Sequence, residues 1–124
     1  MFEDIENLIE ENTINLEQIA IMYKETEINL IFLNLLKDLL LKIEKEKNFS
    51  NKKENTITTN FIFSKNSYLS TKINIINYLA KKFNFNITHI NKENEIIIYL
   101  TIPMQFLNND INNDINNVIR ILKL

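Results

Sequence analysis

Residues 28–43 read INLIFLNLLKDLLLKI, and this stretch decides the fold because no other part of the chain is as apolar. Apolar residues at most of its positions predict a helix that must be covered on more than one side. The stretch is shorter than the ~20 residues that cross a bilayer, and its central pair Lys37-Asp38 would be costly there. We therefore interpret it as a helix of a cytoplasmic protein (host cytoplasm, if the protein is viral) that makes no contact with a membrane.

The helical pattern extends beyond this stretch in both directions, from Leu16 to Lys47. Asn15 and Gln18 have the spacing of a capping box, which predicts that the helix begins at Leu16. A continuous helix over 16–47 would be ~48 Å long, whereas a domain of this size is only ~35 Å across. Either the helix bends near residues 24–27 or its charged end projects from the domain. We favour projection or fraying of the charged end.

The remainder of the chain predicts an α+β fold in a single domain over 1–124. Residues 56–64 alternate as a half-buried strand does, and a helix capped by Ser67 or Ser70 follows over 70–83. Strands at 85–90 and 95–102 and a closing helix over 106–122 complete a β-α-β-β-α part (56–124) that follows the helical part (1–47). The apolar run of 95–102 predicts a central strand, buried on both faces. The expected architecture is a long N-terminal helix on a small, mostly antiparallel three-stranded sheet of order 2-3-1, with two further helices.

A short amphipathic helix is predicted ahead of these elements, over residues 2–11. We interpret its acidic face as a solvated surface, with an acidic binding face as the alternative. Its apolar side chains are Phe2, Ile5, Leu8 and Ile9, and its acidic ones are Glu3, Asp4, Glu6, Glu10 and Glu11.

Composition excludes several kinds of site. The chain has no cysteine and no glycine, so it has neither a thiolate metal site nor a glycine-rich phosphate loop. Tight turns with positive φ must therefore use Asn. The formal net charge of −2 points to neither a polyanionic nor a basic partner. Abundant Ile, Asn and Lys indicate an AT-rich coding genome.

Two candidate sites for chemistry have ordinary structural explanations. His89 could serve as a general base, but we expect a surface pair with Glu93 or Glu95 across the hairpin. Asp110 and Asp114 share a helical face and could hold a hard cation, yet no loop brings further oxygens to them. We predict that the protein is not an enzyme and needs no cofactor and no metal.

The leading functional hypothesis is a small non-enzymatic interaction protein. It would bind a protein partner or a second copy, as a homodimer through the 28–43 helix. An AT-rich phage, virus or mobile element is the expected source, and a regulator or inhibitor the expected role. The predicted interface residues are Leu30, Leu33, Leu36 and Leu40. The alternative is a nucleic-acid-binding regulator that uses the basic segment Lys42–Lys53, with contacts from Lys45, Lys47, Lys52 and Lys53.

Overall fold

A computed structural model describes residues 15–49, 56–66, 68–103 and 109–123. The predicted helix over 2–11 and most of the predicted loop 48–55 lie outside these ranges. The described elements are, in chain order, α1 (Leu16–Lys24), α2 (Asn29–Phe49), β1 (Thr56–Ser64), α3 (Leu69–Phe83), β2 (Asn86–Asn91), β3 (Glu95–Pro103) and α4 (Asn109–Lys123).

The three strands form one antiparallel sheet in the order β1-β3-β2. The α+β class is confirmed, and the strand predicted to be central, β3, is the middle one. Counted from the β2 edge, the strand order of the sheet is the predicted 2-3-1. β1 pairs with the whole of β3, from Thr56 opposite Pro103 to Ser64 opposite Glu95.

All described helices lie on one side of the sheet, a point that the sequence leaves open. Side chains of β1 alternate between exposed and buried along its whole length, and Phe61 and Phe63 are among the buried ones. α2 packs against β1, and α3 packs against α2 and β2. α4 packs against α1 and α2, so it forms a further layer above the helices that touch the sheet.

Burial of β3 on both faces has two different causes. Ile98, Leu100 and Ile102 point into the helix-covered core, where they are almost fully buried. On the other face Ile97 is only 9% exposed, although no described helix covers it. Because Ile62 and Ile90 are its direct neighbours on the flanking strands, their side chains shield it from solvent.

The helical pattern over 16–47 is interrupted near residues 24–27, which is the alternative to the favoured projection or fraying of the charged end. α1 ends at Lys24 and α2 begins at Asn29. The Thr26 hydroxyl donates to the Tyr23 carbonyl at 2.7 Å and accepts from the Ile28 amide at 3.2 Å. Side-chain hydrogen bonds thus replace helical ones at the break, and the buried Ile28 turns into the core.

The ends of the other helices test the capping predictions. The capping box of Asn15 and Gln18 is confirmed, with both reciprocal hydrogen bonds present. The cap expected at Ser67 or Ser70 is wrong, because α3 begins after Tyr68, which has φ 68° and no capping side chain. α3 ends at Asn84, also in the left-handed region at φ 58°. The expectation that Asn takes the positive-φ positions is therefore correct at Asn84 and wrong at Tyr68.

None of the helices in the described ranges combines the length and the apolar character that crossing a membrane requires.

Candidate interaction groove

An open groove of about 720 Å³ lies between the second half of α2 and the facing side of α4. α4 packs inward through an isoleucine-rich stripe of four-residue spacing, which includes Ile111 and Ile115. Asn112 and Asn116, on the neighbouring stripe, line the groove together with Ile119, which continues the inward stripe and is itself buried. On the α2 side, Leu40, Leu41 and Ile43 supply the apolar wall.

Leu41 is the most exposed apolar side chain of the groove, at 65%. Leu30 is exposed to nearly the same extent, 64%, but it lies outside the groove near the start of α2. The eleven residues that separate them correspond to ~16 Å along the helix axis. These two leucines are therefore a matched pair, one inside the groove and one outside it.

The predicted interface residues separate into two groups in the structure. Leu33 and Leu36 belong to the core, and Leu36 has no exposed surface, so neither can meet a partner while the domain is folded. Leu40 is half-buried and lines the groove, while Leu30 is exposed on its own. Leu33 and Leu36 are buried because β1, α3, α1 and α4 together cover more of α2 than one small sheet alone would.

Leu41 is not among the predicted interface residues, although the sequence carries a signal for its exposure. Leu41 follows Leu30, Asn34 and Lys37 at intervals of four, three and four residues, so all four share one face of α2. Asn34 and Lys37 mark this face as the solvent face. A leucine on the polar face of a helix is a better interface candidate than one on its most apolar face.

The charged residues that line the groove are mainly basic. Among the described lining residues Lys37, Lys47 and Lys123 are basic and Glu44 is acidic. The groove thus combines an apolar wall with a positive rim. This arrangement suits an amphipathic segment with carboxylates beside its apolar face.

The lysines of the alternative hypothesis are only partly described. Lys45 and Lys47 are exposed on the last turns of α2, and Lys47 lines the groove. Lys52 and Lys53 lie outside the described residues. Lys42, at the start of the basic segment, is engaged within the fold: its Nζ lies 3.7 Å from the Asp38 carboxylate and 5.2 Å from the centre of the Phe61 ring.

His89 is exposed on β2, but its expected pairing with Glu93 or Glu95 is wrong. The residue opposite His89 on β3 is Ile98. Glu95 is three residues from Ile98, so it points to the opposite face of the sheet, and Glu93 lies in the connection outside both strands. No described carboxylate is therefore placed to orient the imidazole.

The described residues also bear on the other candidates for chemistry. Asp114 is exposed on α4, and the side chain of Asp110 lies outside the described set. Among the described residues, no three His, Asp or Glu side chains come together as metal ligands.

The resolved pKa shifts belong to tyrosines outside the groove. The Tyr68 hydroxyl is hydrogen-bonded to the Glu27 carboxylate, which raises the pKa of Tyr68, and desolvation and the negative charge of Glu27 act in the same direction. Burial raises the pKa of Tyr78. Both shifts favour the neutral phenol.

Comparison of the chain with protein families, with curated proteins and with solved structures finds no match. Function must therefore be inferred from the surface of this chain itself.

Proposed function

We propose that the protein is a small non-enzymatic interaction protein, a regulator or inhibitor, and that the groove between α2 and α4 is its binding site. The observation that carries the proposal is Leu41, an exposed leucine beside the half-buried Leu40 in an open groove with a positive rim. Such a groove fits the apolar face of a helix whose flanks are acidic. The binding partner is a second protein or a second copy of the chain.

The size of the effect at Leu41 follows from its exposure. Full burial of a leucine side chain contributes about 1.5–3 kcal/mol, and Leu41 has about two thirds of its surface left to bury. Replacement by lysine would forfeit this contribution and bring a fourth lysine to the groove. We expect the affinity for the partner to fall about tenfold or more.

The test compares Leu41→Lys with Leu30→Lys, which makes the same change at equal exposure on the same helix. Each full-length variant is used to capture proteins from extracts of the source cells, and light scattering measures self-association in parallel. We expect wild type and Leu30→Lys to retain one specific partner, or the same dimer, and Leu41→Lys to lose it. A partner that all three proteins retain equally would refute the assignment of the groove, and so would the absence of any specific binding.

The nucleic-acid alternative remains a second proposal, supported by the exposure of Lys45 and Lys47. Binding through phosphate contacts would weaken steeply with salt, and Lys45→Ala would reduce the slope of that dependence by about one. A salt titration with duplex and single-stranded DNA measures both effects. If neither DNA binds at about 50 mM salt, where phosphate contacts are strong, the alternative is refuted.

A further inference from the structure

We propose that the outer edge of β1 binds an extended segment of a partner protein, which joins the sheet as a further strand. This edge lies apart from the groove between α2 and α4, because no residue of β1 lines that groove. It is therefore a second binding surface, and it recognises its partner through the backbone. Three observations support it: the direction of the backbone groups of β1, the absence of edge protection and the position of α2.

The hydrogen bonds at the end of the β1–β3 ladder show which backbone groups of β1 point outwards. The Lys65 amide donates to the Asn94 carbonyl at 3.1 Å, and these residues continue the register that pairs Ser64 with Glu95. Hydrogen-bonded pairs alternate with non-bonded pairs in an antiparallel ladder. Counted back from Lys65, the residues that bond to β3 are therefore Phe63, Phe61, Thr59 and Ile57. The residues between them direct their N–H and C=O groups away from β3, and these are Thr56, Thr58, Asn60, Ile62 and Ser64.

This outer edge has no partner among the described residues. β1 is the first strand in the order β1-β3-β2, so β3 is the only strand beside it in the described ranges. Thr58, Asn60 and Ile62 are exposed, Ile62 to 58%. Each outward residue presents one donor and one acceptor, and a row of such groups is a template for the addition of a strand.

Sheet edges are usually protected against such pairing, and β1 lacks the usual protection. Charged side chains, proline, a bulge or a very short strand can block an edge. β1 is nine residues long, and its sequence TITTNFIFS has neither a charge nor a proline. Its register with β3 runs without a bulge. At the opposite edge β2 has only six residues and is followed by Lys92, so β1 is the edge that is open to a long strand.

The position of α2 decides between a lone strand and a second copy of the chain. α2 packs on β1, and the Lys42 Nζ lies 5.2 Å from the centre of the Phe61 ring. If two β1 edges paired about a twofold axis, the strands would be ~4.8 Å apart and both α2 helices would lie on the same side of the joint sheet. Packed helices need ~8–10 Å between their axes, so the two copies would collide.

A single extended segment brings no helix of its own and therefore fits beside β1. Because no charge on β1 could pair with a charge on the segment, we expect the residues that contact β1 to be uncharged. Main-chain hydrogen bonds would supply the affinity, as in other sheets that accept an added strand.

The experiment measures amide hydrogen exchange by NMR in the isotope-labelled, full-length chain. The probe is a synthetic peptide with the sequence of residues 56–64, an uncharged strand of matching length, with lysines added at both ends for solubility. At a peptide concentration of about ten times its Kd, exchange of the outward amides of Thr58, Asn60 and Ile62 should slow about tenfold. The amides of Thr59 and Phe61 already bond to β3, so their exchange should not change.

Two matched variants assign the binding to this edge. Asn60→Pro removes an outward N–H of β1 and leaves the ladder with β3 intact, since proline is tolerated where the N–H faces away from the sheet. His89→Pro makes the same change at the outer edge of β2, where the bond from the Lys92 amide to the Glu95 carbonyl fixes the alternation. We expect Asn60→Pro to weaken peptide binding about tenfold or more. His89→Pro and the groove variant Leu41→Lys should leave it unchanged.

The proposal is overturned if no amide slows at about 1 mM peptide, or if only the outward amides of β2, those of Ile87 and His89, slow. The wild-type exchange pattern decides both outcomes, so a variant that fails to fold leaves the test intact. Light scattering adds a third outcome: a dimer of the free chain that Asn60→Pro dissociates would overturn the choice of a lone strand in favour of a second copy. Because the edge and the groove share no residue, failure of the groove proposal does not alter these results.

Discussion

The hydroxyl of Thr26 forms two hydrogen bonds at the break between α1 and α2. Thr26→Val removes this hydroxyl at nearly constant side-chain volume. In the folded protein this hydroxyl donates to the Tyr23 carbonyl and accepts from the Ile28 amide. The Tyr23 carbonyl keeps a second donor in the variant, the Thr26 amide at 2.9 Å. The Ile28 amide, however, loses the acceptor that the hydroxyl provides.

The expected cost follows from these contacts. A buried donor left without an acceptor costs about 1–3 kcal/mol, and the contact here is only partly buried, so we expect about 1.5–2 kcal/mol. Unfolding entropy of ~2.1 cal/mol/K per residue, taken over 124 residues, converts this to a decrease in Tm of about 6–8 °C.

Urea unfolding followed by circular dichroism measures the effect in wild type, Thr26→Val and Thr26→Ser. The serine variant keeps the hydroxyl, so it should stay close to wild type, and the slope of free energy against urea should be the same for all three proteins. The reasoning is refuted if Thr26→Val is within about 0.5 kcal/mol of wild type, or if Thr26→Ser loses as much stability as Thr26→Val.

Three further predictions concern the stability of the fold. Leu36→Ala, at a position without exposed surface, should lower the free energy of unfolding by about 2–5 kcal/mol, whereas Leu30→Ala should change it by less than about 0.5; urea unfolding of both tests the placement of the core. Asn84→Ala should cost about 1 kcal/mol in the same assay, because alanine tolerates the left-handed backbone poorly, and Asn84→Gly should cost nothing. The raised pKa of Tyr68 means that its bond with Glu27 adds stability fully present below pH 10 and lost as pH rises through the folded pKa. The Tm difference between wild type and Tyr68→Phe should therefore shrink above pH 10, and a constant difference would contradict the bond.

The fold class could be predicted because the hydrophobic periods are clear in most elements. The alternation of β1 matches its burial at every position, and the apolar run of β3 correctly indicates the middle strand. The capping box at Asn15 was readable for the same reason, since two side chains three residues apart decide it locally. Signals contained within a few neighbouring residues were interpreted correctly.

Features that depend on tertiary packing could not be predicted from local sequence signals. Residues 24–27 continue a polar and charged pattern that an exposed helical turn would also show. The break is marked by the hydrogen bonds of the Thr26 hydroxyl and by the Asn29 side-chain amide, which donates to the Lys24 carbonyl. Tyr68 takes a left-handed conformation that its residue type disfavours, and its hydrogen bond to Glu27 ties it to a distant part of the chain. The burial of Leu33 and Leu36 likewise depends on elements that lie far along the sequence.

The break between α1 and α2 also shapes the candidate groove. A single straight helix over 16–47 would offer α4 one continuous ridge, along which its isoleucine stripe could pack from end to end. Because the chain turns at Thr26, α4 instead packs against both α1 and α2. α4 is thereby held at α1 near Asn15 and Val118, and the second half of α2 is left partly uncovered around Leu41. The exposed Leu41 thus lies on a helix that begins only after the break, at Asn29, and that α4 covers only in part.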